Sequence, residues 1–157
     1  MKAATEARER QDTTGTRSAL RSIKSVEVIG IESQRKAVLA AKAALAKHAE
    51  HVLVLDVRKL SGVTDWYVVC TGMSPPQLMA IREAIDEALR AHGHRTWHVE
   101  GDSAAKAAAR AGLDGRQLQW ILMDCGDVVV HLFNPPARQF YQLERLWGDA
   151  PQLPLDS

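Results

Sequence analysis

The chain of 157 residues predicts one α/β (α+β) domain, a mixed sheet of about five strands flanked by helices. Three features predict it. Short β-branched or aromatic runs alternate with longer segments of helical period. The stretch Ser74-Pro75-Pro76-Gln77 marks one helix start sharply. WILMDCGDVVVHLF, Trp120 to Phe133, has the apolar alternation of a hairpin around a glycine. The length suffices for one real core and is short for two.

In chain order, residues 1–33 are rich in Arg, Thr, Ser and Glu without a sustained period, and read as a disordered N-terminal extension. Glu6, Glu9 and Asp12 argue against a mitochondrial transit peptide, a class poor in acids. The domain proper spans 34–150. QRKAVLAAKAALAKH, Gln34 to His48, has high helix propensity, with Val38, Leu39 and Leu45 near one face. HVLVLDV, His51 to Val57, and WYVVCTG, Trp66 to Gly72, predict two largely buried strands. Ser74 then offers an N-cap, Pro75 suits the first helical position and Gln77 the capping-box position. Leu78, Ile81, Ile85, Ala88 and Leu89 make the apolar face of that helix, and Gly93 stops it. RTWHVEG, Arg95 to Gly101, predicts a short strand, and Ala104 to Ala111 a short surface helix closed by Gly112, with turn residues at Asp114-Gly115. After the hairpin, Pro135-Pro136 opens a last helix whose buried side carries Phe140, Leu143 and Trp147. Residues 151–157 complete the chain as a flexible tail.

Composition excludes several classes. With 20 Lys+Arg against 19 Asp+Glu, the broad positive field that gathers nucleic acid is missing. Cys70 and Cys125 lie in apolar runs without the paired spacing of a zinc or redox site, which predicts buried free thiols in a reducing cytoplasm. No apolar run approaches the ~18 residues of a membrane span.

In the hairpin, Cys125-Gly126 fits a two-residue turn, pairing 124 with 127, 122 with 129 and 120 with 131. Ile121, Met123, Val128, Val130 and Leu132 then form a core face. The opposite face carries Trp120, Leu122, Asp124, Asp127, Val129, His131 and Phe133, and sets two like charges against each other at a cost of up to ~1 kcal/mol. Two readings stand: acids flanking a turn with Trp120 packed beneath a helix, or a binding face with an aromatic anchor and an acidic rim. Tyr141 falls off the apolar stripe of the last helix, beside Ala137, Glu144 and Arg145, and with Trp120 favours an interface. From Trp120 onward two arginines, Arg138 and Arg145, face five acids, an excess of three negative charges that suits a basic partner.

The segments LDVRKLSGVTDWYVVCTGMSPPQLMAI, VEG, WILMDCGDVVVHLF and ARQFYQLERLWGDA, in this order, resemble the ribosomal silencing factor, or Iojap-like, family. The resemblance runs from about Gln34 to Ala150. It implies a non-catalytic protein, nucleotidyltransferase-like in fold and without a cofactor. Such a protein binds the fourteenth large-subunit ribosomal protein at the intersubunit face and sterically blocks subunit joining, repressing translation when nutrients are scarce. The family's tryptophan falls on Trp120, its helix tyrosine on Tyr141 and its acidic positions on Asp124, Asp127 and Glu144. The partner-binding set expected is therefore Trp120, Leu122, Asp124, Asp127, His131, Phe133, Arg138, Tyr141 and Glu144. DSAAKAAARAGLDGRQLQ, residues 102–119, is longer than in many relatives, and is expected either to cap the binding face or to extend it.

Four other readings are weighed. Gly72-Met73-Ser74 before a helix could hold a phosphate, but the paired strand carboxylates of a nucleotidyltransferase are missing, and a cap explains Ser74. His92, His94 and His98 lack a Cys or acid to complete a metal set and read as solvated. The Trp120 and Tyr141 face could instead close a homodimer in the free protein. A role in ribosome assembly is the remaining alternative.

Overall fold

The computed structural model describes residues 30–113 and 116–155. The chain divides into Met1–Glu32 and Ser33–Ser157. Of the first unit residues 30–32 are described, and they are helical; the expected extension over 1–29 and the Asp114-Gly115 turn lie outside the described residues. The second unit carries helix α1 over 33–46, strands β1 (Glu50–Asp56) and β2 (Trp66–Thr71), helix α2 (Pro75–Ala91), strand β3 (His98–Glu100) and helix α3 (Asp102–Arg110). The hairpin strands β4 (Trp120–Asp124) and β5 (Val128–Phe133) follow, then helices α4 (Pro135–Tyr141) and α5 (Leu143–Leu146).

The five strands form one mixed sheet in the order β1-β2-β5-β4-β3. Only β2 and β5 run parallel, with Trp66 opposite Val128 and Thr71 opposite Phe133. Because side chains alternate across a sheet, strands β1, β2, β4 and β5 feed two cores, while the short edge strand β3 adds Val99 to the first. The first lies between one sheet face and helices α1, α2 and α3: Val68, Cys70, Ile121, Met123, Val128, Val130 and Leu132 meet Ala37, Ala40, Ala41, Ala44, Leu78, Ile81, Ile85, Leu89 and Ala105. The second is smaller: Leu55, Val57, Val69 and Phe133 are covered by Ala137 and Ala150, with Tyr67, Trp120, Leu143 and Trp147 at its margin.

The α2 boundary follows its sequence signals. Ser74 Oγ accepts from the Gln77 amide at 3.3 Å, and Gln77 Oε1 accepts from the Met73 amide at 2.7 Å, so side chains satisfy amides the helix leaves free. Gly93 stops it at φ +78°, with the His94 amide returning to the Leu89 carbonyl at 2.8 Å.

Four expectations are corrected. The buried stripe of α1 consists of alanines, while Leu45 is 41% exposed; small side chains let this helix lie close to the sheet. The helix also begins before Gln34: Ser33 is buried, and its hydroxyl accepts from Trp66 Nε1 at 3.1 Å. Residues 102–119 supply α3, whose Ala105 and Ala108 are buried on the α2 side of the sheet, so the helix does not cap the opposite face. The expected flexible tail is tethered over 151–155: the Asp56 amide donates to the Pro151 carbonyl and the Leu153 amide to the Val54 carbonyl, both at 2.8 Å, while Leu153 and Leu155 pack on the first core. These bonds partner the exposed edge of β1.

Candidate functional site

The hairpin turn decides where the expected site residues go. Asp124 pairs with Val129, Leu122 with His131 and Trp120 with Phe133. The turn therefore centres on Gly126-Asp127, one residue later than expected, with the Cys125 amide donating to the Val128 carbonyl at 2.9 Å. Gly126 takes the first turn position at φ +86°, which glycine tolerates without a Cβ clash. Moving the turn centre by one residue shifts every pairing by two, so the two faces keep their occupants. The aspartates, however, do not oppose each other. Asp124 Oδ1 accepts from the Gly126 amide at 2.9 Å, and Asp127 pairs with Lys36 Nζ at 2.9 Å.

On the second face the structure builds a chain of rings. Trp120 and Tyr141 approach to 4.7 Å between centroids, Trp120 and Phe133 to 5.2 Å, Trp120 and His131 to 5.7 Å, and His131 and Tyr67 to 5.0 Å. Phe133 is fully buried and His131 only 4% exposed, whereas Trp120 is half-buried and Tyr141 is 43% exposed. Phe133 is thus corrected from a contact residue to a core residue, and His131 lies beneath the surface. Phe140, expected on the buried stripe, is 69% exposed. The cause is a break: Gln142 adopts φ +47° and divides the expected single helix into α4 and α5, so the periodicity of one continuous helix no longer aligns Phe140 with Leu143 and Trp147.

His131 Nδ1 accepts from Trp120 Nε1 at 3.1 Å. Burial pushes the imidazole down to about 4, because a charged ring would lose its hydration without gaining a counter-charge. Arg138 and Glu144, both expected at the interface, form an ion pair with each other. Arg138 also donates to Thr71 Oγ1 at 3.0 Å and to the His51 carbonyl at 2.9 Å, which fastens α4 to β2 and β1. The expected set therefore separates. Trp120, Leu122 and Tyr141 retain accessible surface on the second face; His131 and Phe133 support them from below; Arg138 and Glu144 lock the helix; Asp124 and Asp127 order the turn at the far end of the hairpin.

Two contributors escaped the sequence reading. Asn134, fully buried, caps α4 by accepting from the Ala137 amide at 3.1 Å, and the same oxygen accepts from the Gln119 amide at 3.0 Å, fixing the start of β4 to the start of α4. An asparagine before Pro-Pro is the signal that could have revealed it. Gly101, at φ +83°, passes so close that a Cβ there would collide with the Trp120 carbonyl oxygen. Elsewhere, at the turn end of the hairpin, an open cleft of about 540 Å³ is lined by Lys36, Val63, Thr64, Trp97, Gly126 and Asp127. Trp97, 70% exposed, rests against Gly126 there.

Cys70 and Cys125 are buried free thiols, pushed up by burial to about 12 and about 11. Such groups stay protonated and are weak nucleophiles. Among the described residues no cluster of three or more His, Cys, Asp or Glu is placed to hold a metal ion, and no helix is long and apolar enough to cross a membrane. His98 Nε2 lies 3.0 Å from Glu100 Oε1, and His92 Nδ1 2.9 Å from the Ala88 carbonyl.

These features define a class: a mixed-sheet α+β domain whose distinctive surface is a supported pair of aromatic rings. The model of the family described as "Ribosomal silencing factor during starvation" matches residues 31–157. The chain belongs to the ribosomal silencing factor family. It is 38% identical over 118 residues to the ribosomal silencing factor of Bacillus subtilis, covering 75% of this chain and 89% of that one. It is also 37% identical over 125 residues to the chloroplastic protein Iojap of Arabidopsis thaliana, covering 79% of this chain and 46% of that protein. Among solved structures, a Chromobacterium violaceum protein superposes with a TM-score of 0.63 at 30% identity, covering 73% of this chain and 85% of the other. A Bacillus halodurans protein gives 0.59 at 32%, covering 74% and 94%.

Proposed function

We propose that this protein acts in the cytoplasm by docking on the large ribosomal subunit, through the fourteenth large-subunit ribosomal protein, and blocking subunit joining as a steric wedge. The observation that carries this reading is the Trp120–Tyr141 pair, two rings 4.7 Å apart and partly exposed on a rigid sheet-and-helix platform. Aromatic side chains with one face packed and one face accessible are typical anchors of protein interfaces, because they add contact area with few rotors left to freeze. Leu122 extends the apolar surface along β4. Asp127 and Glu144 are already neutralised by Lys36 and Arg138, so recognition rests on aromatic contact more than on an acidic rim. A wedge needs no catalytic group. It needs only to occupy space that the small subunit would take.

Co-sedimentation with isolated large and small subunits tests this. The wild type is expected to pellet with the large subunit alone, and Trp120→Ala and Tyr141→Ala each to lose more than ~1 kcal/mol of affinity while remaining folded. Pelleting with the small subunit, or undiminished binding by both variants, would overturn the proposal. Sedimentation of the free protein decides whether the same face also closes a homodimer.

A further inference from the structure

The second face contains one polar group whose placement is costly unless it serves the surface above it. His131 is 4% exposed and surrounded by rings: Tyr67 stands edge-on at 5.0 Å, Phe133 lies nearly parallel at 6.2 Å and Trp120 is tilted at 5.7 Å. Its Nδ1 accepts the Trp120 indole N–H at 3.1 Å, which places the imidazole proton on Nε2. Nε2 is buried and has no hydrogen-bond partner among the described residues. A leucine or valine on this strand would pack without leaving a buried donor unsatisfied. The strand therefore carries a desolvated ring with one unmet bond, and what it gains is the bond to Trp120.

An indole on a strand turns easily about its second side-chain torsion, whose preferences are broad. Tilted contacts with Phe133 and Tyr141 restrain the ring but tolerate sliding; a hydrogen bond at Nε1 fixes the edge as well. We infer that His131 is a positioning residue, which holds the Trp120 indole in one orientation so that the partner protein meets a preformed aromatic anchor. The inference rests on the proposed docking surface and assigns to His131 a role other than contact. Preorganisation of this kind raises affinity by removing the ordering cost from the binding step.

The test joins a spectroscopic reading on the free protein to affinity for large subunits. In protein carrying ¹⁵N-labelled tryptophan, Trp120→Phe identifies the Trp120 indole signal among those of the four tryptophans. His131→Leu is expected to shift that signal and speed its solvent exchange, while His131→Asn, whose carbonyl oxygen can stand near the Nδ1 position, restores slow exchange. Affinity for large subunits is expected to fall ~5-fold in His131→Leu, the scale of one hydrogen bond, and to return to within ~2-fold of wild type in His131→Asn. Trp120→Phe, which removes the donor together with the second ring of the indole, is expected to lose at least ~5-fold, and adding His131→Leu to it is expected to cost nothing further. If His131→Leu fails to fold, Trp120→Phe and His131→Asn carry the comparison.

An indole signal indifferent to His131 would overturn the inference, as would full affinity in His131→Leu or Trp120→Phe when Trp120→Ala binds poorly; the docking proposal would survive either result. If Trp120→Ala alone binds as well as wild type, the role of His131 falls; if Tyr141→Ala does so too, the docking proposal falls with it.

Discussion

Acid should expose the cost of burying His131. The ring is held down at about 4, against 6.5 for a free imidazole, because burial strips hydration from the charged form. Between those values the unfolded chain binds a proton that the folded chain refuses. Stability is therefore complete above 6.5 and falls as pH drops toward 4. The gap corresponds to about 3 kcal/mol in total, and about 2 kcal/mol of it is lost by pH 5. Against the usual ~5–15 kcal/mol of a domain this is a large fraction. Urea unfolding of wild type and His131→Asn at pH 7.5 and 5.0 isolates the effect, since every other titrating group is common to both. The wild type is expected to lose about 2 kcal/mol more than the variant over that interval. Equal losses would mean that the imidazole titrates alike in both states, and would refute the claim that it is held neutral.

Other perturbations have distinct signatures. Arg138→Ala removes three partners of a side chain only 12% exposed, Glu144, Thr71 and the His51 carbonyl, and is expected to cost about 2–3 kcal/mol in urea unfolding; Arg138→Lys should recover little, because one ammonium cannot span the guanidinium fork. Gly101→Ala places a Cβ against the Trp120 carbonyl oxygen at φ +83° and is expected to cost more than ~2 kcal/mol, whereas Gly112→Ala, at φ +65° with open space around it, should cost only about 1 kcal/mol. With thiols raised to about 12 and about 11 by burial, Cys70 and Cys125 should resist a thiol reagent at pH 8 in the native protein and both react in urea; rapid native labelling would contradict the burial.

The first core was legible because its signals are local. Period-2 alternation in β4 and β5 and the cap-proline start of α2 each follow from side-chain geometry within a few residues. Register is less local. The expected turn centre at Cys125-Gly126 and the observed one at Gly126-Asp127 both contain the glycine, and Lys36, far away in sequence, pairs with Asp127 and with the Cys125 carbonyl at the turn actually formed. The faces survived the error because the pairing shift was even. Leu45 misled because hydrophobicity was taken to mark the buried side of α1, while close packing on the sheet favoured alanine. Phe140 and Phe133 misled in opposite directions for one reason. Their burial depends on where the last helix stops covering the second face, and a glutamine in the left-handed region announces no such break.

That break also explains how one chain can bury Phe133 and still expose its neighbours. Covering the second face from β1 to β4 with a single straight helix would extend the buried margin over Trp120. Instead α4 has seven residues, on the order of 10 Å at the α-helical rise. Its Ala137 seals Phe133, and the chain turns at Gln142 so that Leu143 and Trp147 join the Tyr67 side of the second core. Tyr141 is left at the corner, against Trp120 and 43% exposed. Arg138 keeps the corner in place from one side and Asn134 from the other, which ties the helix to β1, β2 and the start of β4. The rings that remain accessible are thus mounted on a corner bonded at several points to the sheet, and a surface held this way would lose little entropy if a partner closed over it.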